Sequence, residues 1–213
     1  MDHPLPKWTL PHVADFAIGT GIDAGPWRRV RPVSLAPSDG SGRANGDSRA
    51  WLCWSDTHLY AAWRCAGPSP RCTFRQRDEP LYTEDVVELF VAPNPADPCR
   101  YFELEFNALA TIFDAKVVHP TADGSGRPAV DATWNAPGLE CFARTFDGHW
   151  EVEIAVPFAA LGAPVPTPGS QWRGNAYRIE YGPPDRYLAW SPTRTKTPNF
   201  HVPARFGNLE FGR

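Results

Sequence analysis

Residues 81–93, Leu-Tyr-Thr-Glu-Asp-Val-Val-Glu-Leu-Phe-Val-Ala-Pro, constrain the fold more than any other stretch of the chain. A run of β-branched and aromatic residues forms one strand, and Pro93 closes it. Strand side chains alternate, so Val87, Leu89 and Val91 share one face while Val86, Glu88 and Phe90 share the other. Glu88 therefore stands in the middle of an apolar strand, where a carboxylate needs solvent or a specific partner. Glu84 and Asp85 are placed to cap the entering turn. Taken alone, the segment reads as an edge of a β-sandwich with one wet face.

The alternation recurs along the chain. Phe102, Leu104 and Phe106 form one face of a strand over 101–107, with Tyr101, Glu103, Glu105 and Asn107 on the other. The first face requires a core, and the second requires water or a ligand. Residues 50–54 and 59–65 read as two strands joined by a turn, and residues 110–118 as a return strand. Asp147-Gly148 is a two-residue hairpin signal between strands at 139–146 and 150–156. Within the second of these, Glu151 and Glu153 oppose Trp150, Val152, Ile154 and Val156. Residues 157–162 read as one helical turn with Pro at its start and Gly at its stop. Residues 175–181 alternate again, with Arg178 and Glu180 on the polar side. Residues 1–20 form an extended lead-in, and 36–48 a surface loop.

Short strands separated by turn signals predict an all-β, two-sheet antiparallel sandwich of jelly-roll or immunoglobulin-like type. The 24 Pro and 17 Gly fit many turns and few long helices. At 213 residues the chain is read as one domain, residues 1–213, with no internal repeat. A formal net charge of −3 gives no electrostatic case for nucleic acid. Nothing approaches the ~20 apolar residues of a membrane-spanning helix. Five Cys without CxxC or Cys/His spacing argue against zinc and against a complete disulfide framework, and reduced thiols are the simplest account. No signal peptide is visible in Met1-Asp2-His3-Pro4-Leu5-Pro6, so a cytoplasmic location is expected as written, or secretion if the N-terminus was trimmed.

The ordered set Ile22-Asp23 with Trp27, Trp54-Ser55-Asp56 with Leu59-Tyr60, and Glu84-Asp85-Val86-Val87-Glu88-Leu89-Phe90 continues through the chain. It runs on through Glu151-Val152-Glu153-Ile154-Ala155-Val156-Pro157, Asn175-Ala176-Tyr177-Arg178, Trp190-Ser191-Pro192, Phe200-His201-Val202-Pro203 and Phe206-Gly207-Asn208-Leu209. This set resembles the family 9 carbohydrate-binding modules, whose β-sandwich is related to the DOMON group. The resemblance implies a non-catalytic protein that stacks a terminal sugar between aromatic rings and hydrogen-bonds its hydroxyls. Tyr82 and Phe200 then fall at or close to the two clamp positions, which are Trp in sugar-binding members. Glu88 matches the family's hydroxyl-binding carboxylate, and Asn107 matches a family Asn. Glu103 stands where the family has Gln, Glu105 where it has Arg, and Gly67 where it has an acid. With His201, these give the candidate ligand-binding set Tyr82, Glu88, Glu103, Glu105, Asn107, Phe200 and His201. The implied partner is a mono- or oligosaccharide, with neither nucleic acid nor membrane, and oligomeric state is left open.

Two other classes compete. A glycoside hydrolase needs two carboxyl groups about 5–9.5 Å apart, and Glu103/Glu105 and Glu151/Glu153 are candidate pairs. A DOMON-like haem module needs axial His or Met, whereas Met1 is the only Met and the six His show no pairing in sequence. No catalytic residue, cofactor or metal is assigned. Structural calcium is left open, with Asp23, Asp56 and Asp114 as available oxygen ligands.

Overall fold

In a computed structural model, residues 4–213 are described; Met1, Asp2 and His3, which entered the leader and haem readings, lie outside them. The strands are β1 (Lys7–Leu10), β2 (Val33–Ser34), β3 (Ala36–Pro37), β4 (Ser48–Trp54), β5 (His58–Ala66), β6 (Val86–Ala92) and β7 (Arg100–Phe106). They continue as β8 (Ile112–Val118), β9 (Ala129–Asp131), β10 (Glu140–Phe146), β11 (His149–Pro157), β12 (Gln171–Glu180), β13 (Arg186–Ala189) and β14 (Gly207–Phe211). Four 3₁₀ turns supply the helical residues, among them Phe158–Leu161, which starts after Pro157 and ends at Gly162 in the left-handed region (φ 59°).

Two sheets build a β-sandwich. The larger runs β1-β14-β12-β6-β7-β8-β9, with β13 beside β12 and β3 beside β13; the smaller runs β10-β11-β5-β4-β2. All pairings are antiparallel except β1 with β14. Between the sheets, Val87, Leu89, Val91, Leu104 and Phe106 pack with Leu52, Trp63, Trp150, Val152 and Ile154. These are the positions that the period-2 pattern sends inward.

The opposite face of the large sheet departs from the expectation of a wet surface. Phe90, Tyr101, Tyr177, Phe200 and Phe206 form a second buried cluster there. Loop segments cover it: the Tyr177 hydroxyl donates to the Phe200 carbonyl, and Ala204 N–H donates to the Ala122 carbonyl. The small sheet is treated similarly. Ile22, Trp27 and Val30 pack on Trp51, Cys53 and Tyr60. Residues 13–30 are thus folded back as a cover, and the lead-in itself contributes strand β1.

Two polar pins correct the expectation of solvated strand faces. Arg178 is buried, and its Nη1 donates to Ser48 Oγ at 2.8 Å and to the Ala66 carbonyl at 3.0 Å, tying the two sheets together. Glu153 is also buried and accepts from Gly19 N–H, Gly21 N–H and the Trp27 indole at 3.1, 2.9 and 2.8 Å. Its neighbour Glu151 pairs with Arg64. Both carboxylates of that candidate hydrolytic pair are thus committed to structure.

Strand β12 approaches β6 and β14 closely at Gly174, where an added Cβ would lie 2.6 Å from the Phe90 carbonyl oxygen and 2.7 Å from Leu209 Cδ1. A rigid backbone atom cannot yield as a side-chain tip can. Gly174→Ala is expected to destabilise the fold by about 1–3 kcal/mol, read as a lower urea midpoint with unchanged m-value.

Candidate functional site

The register of the large sheet creates the site. Glu88 on β6 lies directly opposite Glu105 on β7, and Tyr177 on β12 lies opposite Glu88 on its other side. Directly opposed residues place their Cβ atoms about 4.5–5.5 Å apart on one face. Glu103, two residues before Glu105 on β7, shares that face. One carboxyl oxygen from each of Glu88, Glu103 and Glu105 lies within 4.8 Å of the others, and all three residues are buried.

These acids form the floor of a cavity of about 550 Å³. Tyr82, Phe113, Tyr181, Tyr187 and Phe200 line its walls, with Ile179, Val130 and Ala132 adding apolar surface. Tyr82 is 49% exposed and stands free at the rim, while Phe200 is buried and stacks on Tyr177 at 4.1 Å between ring centres, nearly parallel. Both rings border the same cavity. The Tyr181 hydroxyl donates to the Tyr82 carbonyl at 3.0 Å, which fixes the 3₁₀ turn Leu81–Thr83 that carries Tyr82.

Burial decides the electrostatics. It raises the carboxyls of Glu88, Glu103 and Glu105, Glu103 to about 8, and the charge of Glu103 adds to the rise at Glu88 and Glu105. Neither oxygen of Glu105 has a well-formed hydrogen bond; the Tyr82 N–H and the Glu103 carboxyl are the groups that act on it. His201 bonds the Tyr101 hydroxyl through Nδ1 at 2.7 Å, and its Nε2 is 3.7 Å from Glu103. Burial, with the nearby His119, lowers His201 to about 4, so its ring is neutral at neutral pH.

Six of the seven candidate residues, Tyr82, Glu88, Glu103, Glu105, Phe200 and His201, line this one cavity. Asn107 does not. Its amide donates to the Phe74 carbonyl, and its Oδ1 accepts from Leu109 and Thr111 N–H, closing the turn from β7 to β8. Its buried amide is spent mainly on that turn, away from the cavity lining. Tyr181, at the end of the alternating stretch 175–181, and Tyr187, on the short strand β13, were missed as site residues because alternation does not say which elements meet over the acids.

The three aspartates considered for calcium lie on separate elements, each with a partner. Asp23 pairs with Arg64, Asp56 with His12, and Asp114 with Arg77. They belong to a loop, the β4–β5 turn and strand β8.

The model of carbohydrate-binding family 9 matches residues 51–211. A curated relative, an extracellular protein of Arthroderma benhamiae, is 28% identical over 149 residues, covering 63% of this chain; the chain spans 64% of that relative's length. Among solved structures, a Bacteroides uniformis protein assigned as carbohydrate-binding aligns with TM-score 0.75 at 18% identity, covering 98% of this chain and 100% of that one. A family 9 module from Caldicellulosiruptor kristjanssonii in complex with cellotriose aligns with TM-score 0.67 at 15% identity, covering 98% and 95%. The same organism's module in complex with glucose gives TM-score 0.69 at 15% identity, covering 98% and 97%. These structural likenesses concern the fold, and the family-model match spans most of the chain. The chain belongs to carbohydrate-binding family 9.

Proposed function

We propose that this protein binds a saccharide non-catalytically in the cavity between Tyr82 and Phe200. The observation that carries the reading is a concave site of about 550 Å³ with aromatic walls and a carboxyl floor. Sugar C–H faces pack on aromatic rings, and carboxyl oxygens give directional acceptors for hydroxyls. Tyr82 at the rim and Tyr181 beside it supply the stacking surface; Glu88 and Glu103 supply the polar contacts. The complexes of related modules with glucose and cellotriose support a sugar ligand.

Tyr82→Ala removes an exposed ring and no core contact. It is expected to weaken sugar binding about five- to tenfold, the worth of one aromatic contact, while shifting stability by less than about 0.5 kcal/mol. Titration calorimetry against mono- and disaccharides, paired with thermal melts, reads both. Unchanged affinity in the variant would remove the clamp, and no heat with any sugar would remove the reading itself. Aryl glycosides are expected to remain uncleaved.

A further inference from the structure

Resting on that reading, we propose that the saccharide carries a free primary amine, whose ammonium group sits among Glu88, Glu103 and Glu105. Three observations lead there.

The first is charge. Three acids converge on the cavity floor, yet no Lys or Arg lines the cavity. The one basic side chain there, His201, is held neutral by burial. A neutral sugar leaves the cluster holding its protons, whereas a cation compensates the charge that forms when one of these acids releases its proton to solvent. The second is the state of Glu105. It is fully buried, lines the cavity, and has no well-formed hydrogen bond to either oxygen, only the Tyr82 N–H and the Glu103 carboxyl lying near. A buried carboxyl without partners costs free energy until a donor arrives. A group bringing N–H donors and positive charge meets that need more fully than a hydroxyl, which brings one donor and no charge.

The third is shape. A primary ammonium has three N–H donors, and three carboxyl oxygens lie within 4.8 Å of one another. The walls beside them are rings, so the cation that fits belongs to a ring-sized organic molecule. A bare divalent ion fits less well. Calcium takes about six to eight oxygen ligands, and beyond the acids the lining is mainly aromatic and aliphatic. The side-chain oxygen of Asn199, also in the lining, already accepts from His201 N–H at 2.9 Å. An N-acetylated sugar loses the charge and adds bulk at the crowded floor.

The test is titration calorimetry on the full chain at neutral pH with glucosamine, glucose, N-acetylglucosamine and calcium chloride. Glucosamine is expected to bind at least about tenfold more tightly than either other sugar, the worth of one charge-assisted hydrogen bond. Glu105→Gln is expected to lower glucosamine affinity to that of glucose, with a thermal melt reporting that the variant is folded; a folded variant that still prefers glucosamine about tenfold would overturn the assignment. Glu103→Gln repeats the measurement should Glu105→Gln not fold. Glucose or N-acetylglucosamine binding as tightly as glucosamine would overturn the amine assignment and leave saccharide binding intact. Stoichiometric calcium binding that blocks glucosamine would overturn it in favour of a metal centre. No sugar binding by folded protein would overturn both readings.

Discussion

Between about pH 6.5 and 8, the ligand-free protein is expected to lose stability as the pH rises, by roughly 1.4 kcal/mol per pH unit for each proton retained only in the folded state. The sign follows from the direction of the shifts. Glu88, Glu103 and Glu105 are raised by burial, Glu103 to about 8. The folded chain therefore holds protons that the unfolded chain has released. Their cost is absent below the ordinary carboxylate range and grows as pH climbs toward the folded value. His201 works oppositely. Lowered to about 4, it makes the unfolded chain the better proton binder until the ordinary histidine range is passed. Below about pH 6.5 the two effects oppose each other, and above it the carboxyls act alone. The other titratable groups facing the cluster, Tyr101, Tyr177 and Tyr181, are raised above their ordinary range and stay neutral throughout.

Urea midpoints across that window check the expectation. Glu105→Gln should flatten the slope and stabilise the protein near pH 8 by about 1–3 kcal/mol, because an amide removes one buried acid and supplies a donor. A midpoint that rises with pH, or a variant as steep as the wild type, would contradict a buried acid cluster.

Glu153→Ala is expected to cost about 3–5 kcal/mol of stability. Its carboxylate accepts from Gly19, Gly21 and the Trp27 indole. Removing it strands three donors in or near a buried interface. The cover over the small sheet, carrying Ile22, Trp27 and Val30, then loses its anchor. Hydrogen exchange should show residues 13–30 opening first, and urea melts should show the loss. Saccharide affinity should remain once temperature is lowered to keep the variant folded, since the cavity lies on the other sheet. Loss of affinity from the folded variant would mean that the two faces are coupled.

The strand pattern was legible because period-2 alternation depends on local sequence alone. Val87, Leu89, Val91, Leu104 and Phe106 point between the sheets as their spacing requires. Glu88, Glu103 and Glu105 could be placed on one face for the same reason. Alternation distinguishes two faces of a strand but does not say what covers the second. At Arg178 and Glu153, charged residues on faces expected to be wet are buried pins. Asn107 illustrates a further limit. Its position matches a ligand residue, but its amide closes a turn, which depends on where Phe74 is brought.

The sequence by itself determined the longer strands, the sandwich class and the acids that share a sheet face, since each follows from neighbouring residues and their alternation, whereas short strands such as β1, β3, β9 and β13 carry too few residues to show a period. Only the tertiary structure decided that this face is roofed by loops. That roof turns three acids from a solvated stripe into the buried floor of a cavity, and it brings Tyr82, Tyr181, Tyr187 and Phe200 around them from distant parts of the chain. The physical reason is that irregular loops carry no period, and their position is set by packing against the completed sheet.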